Sequence, residues 1–162
     1  MAKMVKVGMA DLNICHSPDA ITTLGLGSCV GVALYDKNTK TAGLVHVMLP
    51  DSTKVRQNQN RAKFADTGID YLIELLEKEG AKKSSLTAKI AGGAQMFAFS
   101  SSNDMLRVGE RNVEAVKDKL KKLGIRILAE DTGLNYGRPV TKGFGLEILA
   151  PETFRNGVKV NE

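Results

Sequence analysis

The sequence predicts an α+β protein: a mixed, largely antiparallel β-sandwich or sheet with two main helices packed on one side. Two observations predict this fold class. Short runs of alternating or β-branched apolar residues recur along the chain and are typical of strands. Two longer segments repeat their apolar residues at helical spacing, and each is followed by a glycine. Because no repeat or low-complexity linker separates these segments, we expect a single domain over residues 1–162.

The predicted strands begin near the N-terminus, where Val5, Val7 and Met9 alternate with polar or small residues up to Asp11. A proline-containing turn signal follows at residues 16–19. Further strands are predicted over residues 22–26, 28–35, 44–49, 86–90, 125–129 and 144–149. A polar loop at residues 36–40 joins two of them and predicts a β-hairpin.

The two predicted helices each carry one apolar stripe. The first is predicted over residues 59–79 and is followed by Gly80. The second is predicted over residues 113–123 and is followed by Gly124. Stripes of this kind are buried against a sheet or another helix, so we expect both helices to cover one side of the strands.

Composition excludes several classes of function. The 43% apolar and 25% charged residues are typical of a globular chain, and 23 basic against 18 acidic residues give a net charge of +5. The basic residues are dispersed among acidic ones, so we expect no nucleic-acid partner. The longest charge-free stretch, residues 20–35, is interrupted by glycines and is too short to span a membrane. With no signal-peptide pattern and only two cysteines, we expect a cytoplasmic protein with free thiols.

The reactive inventory is two cysteines and two histidines, whose spacing fits no common zinc site, so we expect no metal and no organic cofactor. The predicted hairpin brings Cys29 and His46 together in two of its registers. With Lys37 and Asn38 as the loop, Cys29 faces His46 directly; with Asn38 and Thr39, His46 faces Gly31 and Cys29 is its diagonal neighbour. A three-residue loop would instead put the two side chains on opposite faces.

A thiol near an imidazole can act as a nucleophile, and the pair can form a thiolate and an imidazolium with a lowered cysteine pKa. Gly27 and Ser28 leave space beside the sulfur and supply backbone N–H groups for an oxyanion. The alternative is that Cys29 is a small buried apolar residue and His46 a core histidine. Cys15 and His16 form a rival pair, but neighbours on an extended chain point to opposite faces.

Five blocks of sequence lie in order over nearly the whole chain. The first two are residues 22–31, Thr-Thr-Leu-Gly-Leu-Gly-Ser-Cys-Val-Gly, and residues 43–50, Gly-Leu-Val-His-Val-Met-Leu-Pro. The others are residues 89–97, 108–112 and 129–138. Together these blocks closely resemble the CheD family, the chemoreceptor glutamine deamidases of bacterial and archaeal chemotaxis. Because five blocks match, the resemblance does not depend on one short motif.

The resemblance implies a site and a reaction. The family's nucleophile is the cysteine after Gly-Ser, Cys29 here, and its base is the histidine of the second block, His46. A threonine six positions before the cysteine completes the triad, which favours Thr23, with Thr22 beside it as the other candidate. The implied reaction hydrolyses receptor glutamine side chains to glutamate through a cysteine thioester, without a cofactor. The implied fold is similar to that of cysteine deamidases among bacterial toxins.

The resemblance also implies two kinds of partner. One is the substrate, the cytoplasmic helical region of chemoreceptors. The other is a CheC-type phosphatase of the phosphorylated response regulator, which the family docks and stimulates. A regulatory binding module of this second kind is therefore the alternative function.

Overall fold

The strands form two layers, because apolar residues alternate along them and must be buried. A computed structural model describes residues 3–94, 108–132, 145–149 and 153–157. The strands in these residues are β1 Met4–Val7, β2 Leu12–His16, β3 Ala20–Thr23, β4 Val30–Asp36, β5 Thr41–Val47, β6 Leu86–Gly92, β7 Arg126–Thr132, β8 Gly145–Leu149 and β9 Thr153–Gly157. The helices are α1 Ala65–Lys78 and α2 Val108–Lys122.

The strands form a five-stranded and a four-stranded sheet. The five-stranded sheet has the order β2-β5-β4-β6-β7, and the four-stranded sheet has the order β1-β3-β8-β9. Only the β1–β3 and β6–β7 pairs are parallel among the described strands. The predicted class, a mixed but largely antiparallel α+β fold, is confirmed.

Strand β4 is buried on both of its faces, which fixes the order of the layers. Val30, Val32 and Leu34 pack in a core with the apolar stripes of α1 and α2. The residues between them, Ala33 and Tyr35, pack in a second core with apolar residues of β1 and β3. Because successive side chains point to opposite faces, the five-stranded sheet lies between the helices and the four-stranded sheet.

Both helices lie on the predicted side, and both differ from the prediction at their N-terminal ends. Helix α1 begins at Ala65 because a separate 3₁₀ turn, Arg61–Lys63, precedes it. Helix α2 begins at Val108, five residues before the predicted start, so it includes Gly109 and Asn112 as buried residues. No helix in the described part of the chain is long and apolar enough to cross a bilayer.

The N-terminal prediction is wrong in one respect. Strand β1 ends at Val7 rather than near Asp11, and a separate strand, β2, follows and pairs with β5. Strand β9 was also not predicted. Residues 95–97 and 133–138 of the resemblance blocks, and Phe144 of the last predicted strand, lie outside the described residues. The single-domain organisation stays a prediction.

Candidate active site

The β4–β5 hairpin settles the register. Asp36 is opposite Thr41, and the ladder continues until Gly31 is opposite His46. The second of the two favourable registers is therefore correct, and the direct Cys29–His46 pairing is wrong. Cys29 immediately precedes β4, two residues from Gly31, so alternation puts it on the same face of the sheet as His46. Alternation extended one residue beyond the ladder therefore predicts that the two residues are diagonal neighbours.

His46 is buried between the two sheets with an exposed fraction of zero. Its neighbours across β4 and β6 are the small residues Gly31 and Ala91. A Cβ atom on Gly31 would lie 3.3 Å from the side chain of Leu26 and 3.5 Å from that of Thr23. The missing side chain at position 31 therefore leaves room for the groups that surround the imidazole.

Thr23 on β3 contacts the imidazole from the facing sheet. Its Oγ1 lies 2.8 Å from His46 Nδ1 and 2.7 Å from the carbonyl oxygen of Val7. The carbonyl can only accept, so the single hydroxyl proton of Thr23 goes to Val7. His46 Nδ1 must then donate its own proton to Thr23 Oγ1. The hydrogen bonds therefore select the imidazole tautomer protonated on Nδ1, which leaves a lone pair on Nε2.

Nε2 of His46 is buried and has no hydrogen-bond partner in the part of the chain that the structure describes. Burial also lowers the pKa of His46, so its imidazole is neutral at pH 7. A neutral ring with a free, unsolvated Nε2 can accept a proton from a group that approaches it. These are the properties of a general base.

Cys29 is buried and free of disulfides. Burial raises the pKa of its thiol, and the backbone N–H of Cys29 opposes this rise by stabilising the thiolate. Since Nε2 of His46 has no partner among the described residues, the Cys29 thiol does not hydrogen bond to it. The thiol and the imidazole are therefore both neutral at pH 7, in place of the thiolate–imidazolium pair that the sequence allowed.

The loop before β4 is held through its carbonyl groups. The carbonyl oxygens of Gly27 and Cys29 accept hydrogen bonds from the backbone N–H groups of Ala94 and Gly93, both at 2.8 Å. Gly92 has a φ of +106°, and a Cβ atom there would lie 2.1 Å from the Cys29 carbonyl oxygen, so only glycine fits. No carbonyl of the described residues accepts from the N–H groups of Ser28 or Cys29. Among the described residues these N–H groups therefore have no carbonyl acceptor, and their use by an oxyanion stays a prediction.

The sequence analysis assigned no role to Asn112. The structure makes Gly92 and Gly93 the support of the Cys29 loop. It also joins the buried Asn112 side chain to that loop. The available signal for Asn112 was its position: it lies four and eight residues before Val116 and Leu120, so it is a polar residue on an apolar stripe.

The rival pair does not form a site. Cys15 is buried in the core between the sheets, and burial, followed by the charge of Asp19, raises the pKa of its thiol to about 11. His16 points to the exposed side, where its Nε2 lies 3.3 Å from a carboxylate oxygen of Glu79. No group of three potential ligands suitable for a metal ion occurs among residues 3–94 and 108–132.

Thr23→Val should expose the role of the hydroxyl without changing the shape of the side chain. The variant leaves the buried Nδ1–H of His46 without an acceptor, so we expect the free energy of unfolding to fall by about 1–3 kcal/mol. We also expect the ring to lose its preference for the tautomer protonated on Nδ1. Denaturant unfolding and the ¹⁵N chemical shifts of the His46 ring measure these two effects.

Thr22→Val is the matched control, because Thr22 is the adjacent residue of β3 and points to the opposite face of the sheet. We expect it to retain the wild-type ring shifts. If Thr22→Val changes the tautomer and Thr23→Val does not, Thr22 is the residue that orients the histidine.

This two-sheet fold carries a cysteine, a histidine and a threonine in an arrangement suited to cysteine-dependent hydrolysis. Comparison with known proteins gives the class to which the chain belongs: a family model described as CheD chemotactic sensory transduction matches residues 48–144, more than half of the sequence. The chain belongs to the CheD family.

Curated relatives agree with this assignment. The chain is 71% identical over 140 residues to the "Probable chemoreceptor glutamine deamidase CheD" of Lachnoclostridium phytofermentans, covering 86% of this chain and 87% of the relative. It is 55% identical over 160 residues to the "Chemoreceptor glutamine deamidase CheD" of Halalkalibacterium halodurans, covering 98% and 99%. A crystal structure of the Bacillus licheniformis hypothetical protein YfiH is 16% identical with a TM-score of 0.48, covering 77% of this chain and 51% of that one. This last likeness is too slight to support an inference.

Proposed function

We propose that this chain is a chemoreceptor glutamine deamidase, which hydrolyses side-chain amides of receptor glutamines to glutamate and ammonia. The relatives that share most of its length carry that name. The observation that carries the proposal in this chain is the Thr23–His46 hydrogen bond, which leaves Nε2 free on the face that Cys29 shares. Cys29 is the proposed nucleophile, His46 the general base and acid, and Thr23 the residue that orients the ring.

The first half of the reaction forms a thioester. As the substrate enters, His46 Nε2 takes the proton of the Cys29 thiol and the sulfur attacks the carbonyl carbon of the glutamine side chain. The N–H groups of Ser28 and Cys29 stabilise the oxyanion. The carbon–nitrogen bond then breaks, and the histidine gives its proton to the departing ammonia. Contacts between thiol and imidazole that are open without substrate commonly tighten when it binds.

The second half regenerates the enzyme. A water molecule replaces the ammonia, His46 takes one of its protons, and the hydroxide attacks the thioester carbonyl. The carbon–sulfur bond breaks, the sulfur recovers a proton from the histidine, and glutamate leaves. Each step uses groups of the chain and one water molecule, so the mechanism needs no metal or organic cofactor.

The proposed substrate implies a cellular location for the enzyme. Receptor glutamines that are open to this protein lie in the cytoplasmic helical region, so the chain acts in the cytoplasm. Each turnover adds a negative charge to a receptor helix. Docking to a CheC-type phosphatase stays a prediction of the family resemblance, and no contact in the described residues favours it as the main function.

The test is deamidation of the purified cytoplasmic fragment of a chemoreceptor from the same organism. We expect individual glutamines to gain about 1 Da, seen by peptide mass spectrometry, with release of one ammonia for each conversion. The receptor fragment incubated alone corrects for spontaneous deamidation, and an unrelated helical protein rich in glutamine tests for selectivity.

Two outcomes contradict the proposal. Glutamine conversion no faster than in the receptor fragment alone would show that the protein has no deamidase activity on this receptor. Cleavage of the receptor backbone at the same rate as side-chain hydrolysis would indicate a peptidase instead.

A further inference from the structure

Asn112 of α2 is a fully buried polar side chain whose contacts the proposed mechanism does not use. Its Nδ2 lies 3.0 Å from the carbonyl oxygen of Ser28 and 2.9 Å from that of Met48. Both partners can only accept, so the side-chain NH₂ group donates to both. The Oδ1 atom has no partner among the described residues, so these two bonds are its polar contacts there.

These two carbonyls belong to the segments that carry the proposed nucleophile and base. Ser28 immediately precedes Cys29, and Met48 follows His46 by two residues, just beyond the end of β5. One amide group therefore ties the cysteine loop to the histidine strand. The tie is long-range in sequence, because Asn112 is 84 residues from Ser28 and 64 from Met48.

Asn112 also completes the support of the cysteine loop. The carbonyls of three consecutive residues, 27 to 29, each accept one hydrogen bond. Backbone N–H groups supply the first and the third, and the middle one depends on the Asn112 side chain. With all three carbonyls held, the loop is fixed in the orientation that leaves its N–H groups free.

The helix that carries Asn112 is seated directly on the other two donors. A Cβ atom on Gly109 would lie 2.5 Å from the carbonyl oxygen of Ala94 and 2.7 Å from that of Gly93. This close approach of backbone to backbone fixes the first turn of α2 against the segment that holds the loop. The position of Asn112 relative to Ser28 is therefore set by main-chain packing and not by a flexible side chain alone.

We propose that Asn112 is a positioning residue, which sets the reach between the Cys29 thiol and Nε2 of His46 by holding the cysteine loop to the histidine strand. The proposal rests on the proposed function in one respect, that Cys29 and His46 act together. Reactivity of such a pair depends on ångström-scale placement, and without substrate the thiol and Nε2 are not hydrogen-bonded to each other. Loss of the tie lets the loop move away from the imidazole.

The test is the pH profile of Cys29 alkylation by iodoacetamide in the full-length protein, followed residue by residue with mass spectrometry. In Asn112→Ala we expect the rate near pH 7, where the thiol is protonated and His46 must take its proton, to fall about tenfold, while the rate well above the thiol pKa, where no base is needed, stays that of the wild type. In Asn112→Asp, a side chain of the same size, the buried carboxyl is protonated and keeps one donor, so an intermediate profile is expected. Adding Asn112→Ala to His46→Ala should give little further loss, because both changes remove the same assistance.

Val116→Ala is the matched control, since Val116 lies one turn further along α2 and is equally buried in the helix–sheet core. Its cavity should lower the unfolding midpoint while the Cys29 profile stays that of the wild type. A wild-type profile in Asn112→Ala, or losses that simply add in the double variant, would overturn the positioning role. Alkylation needs no receptor, so absence of deamidation with an intact dependence on Asn112 and His46 would overturn only the proposed function.

Discussion

Deamidation of the receptor fragment is expected to stop in Cys29→Ala and to continue in Cys15→Ala. The reaction proceeds through a bond to the Cys29 sulfur, and alanine offers no atom that can form it, so we expect a loss on the order of 10⁴-fold or more. Cys15 lies in the apolar core between the sheets, and its thiol, with a pKa raised to about 11, stays protonated at neutral pH. Initial rates of glutamine conversion measure both variants.

The pair of cysteine variants is a matched comparison, because each replaces a buried free thiol by a methyl group. Unfolding curves should show that both proteins fold, with only the small loss that accompanies removal of a buried sulfur. Retention of more than about one hundredth of the wild-type rate in Cys29→Ala would exclude this thiol as the nucleophile. A loss in Cys15→Ala of similar size, with the fold intact, would make that residue the candidate.

His46→Ala should lower the deamidation rate by about 10²–10⁴-fold, the range that a positioned acid–base group contributes. The wild-type rate should also fall at acidic pH, because a protonated imidazole cannot accept the proton of the thiol. Since burial lowers the pKa of His46, this fall should lie below the ordinary histidine value of about 6.5. The acidic limb should be absent from the residual rate of His46→Ala.

The titration of His46 should also make the free energy of unfolding depend on pH. The unfolded chain binds the His46 proton more readily than the folded protein, so the free energy of unfolding decreases as pH falls below about 6.5. This part of the pH dependence should disappear in His46→Ala. His16→Ala is the control, because His16 is the chain's other histidine and lies half-exposed beside Glu79. An unchanged acidic limb in His46→Ala, or its loss in His16→Ala, would contradict the assignment of the base.

Local sequence patterns were sufficient to predict the two strands of the β4–β5 hairpin and the two helices. Alternation and a polar loop are properties of neighbouring residues, so they limited the hairpin to a few registers. Burial of one face excludes the three-residue loop, which would turn the side chains of one strand to the other face. It does not separate the other two registers, because a shift of two residues keeps every side chain on the same face, so the choice between them depends on the loop conformation and on tertiary packing. Strand β2 escaped prediction because it lies at the edge of its sheet, where its burial is partial and its apolar pattern is weak.

The sequence could identify which residues belong to the candidate site, but not how they are arranged in space. The sequence narrowed the chemistry to Cys29 and His46 and left Thr22 and Thr23 as alternatives. The family spacing favoured Thr23, but the residue pattern could not decide between the threonines, because that choice depends on which side of β3 faces the second sheet. The contacts that support the cysteine loop, from Gly93 and Asn112, join segments more than 60 residues apart, and no local pattern encodes them.

The hydrogen bond from Thr23 to the Val7 carbonyl has a consequence for the mutability of the site. The oxygen that fixes the hydroxyl proton, and through it the imidazole tautomer, belongs to the backbone, so every amino acid at position 7 supplies it. In a scan of all substitutions at position 7, only the size and hydrophobicity of the side chain should affect the protein. The Val7 carbonyl oxygen, on which the chemistry depends, is thus retained in every point mutant. A comparison of side chains would therefore not identify it.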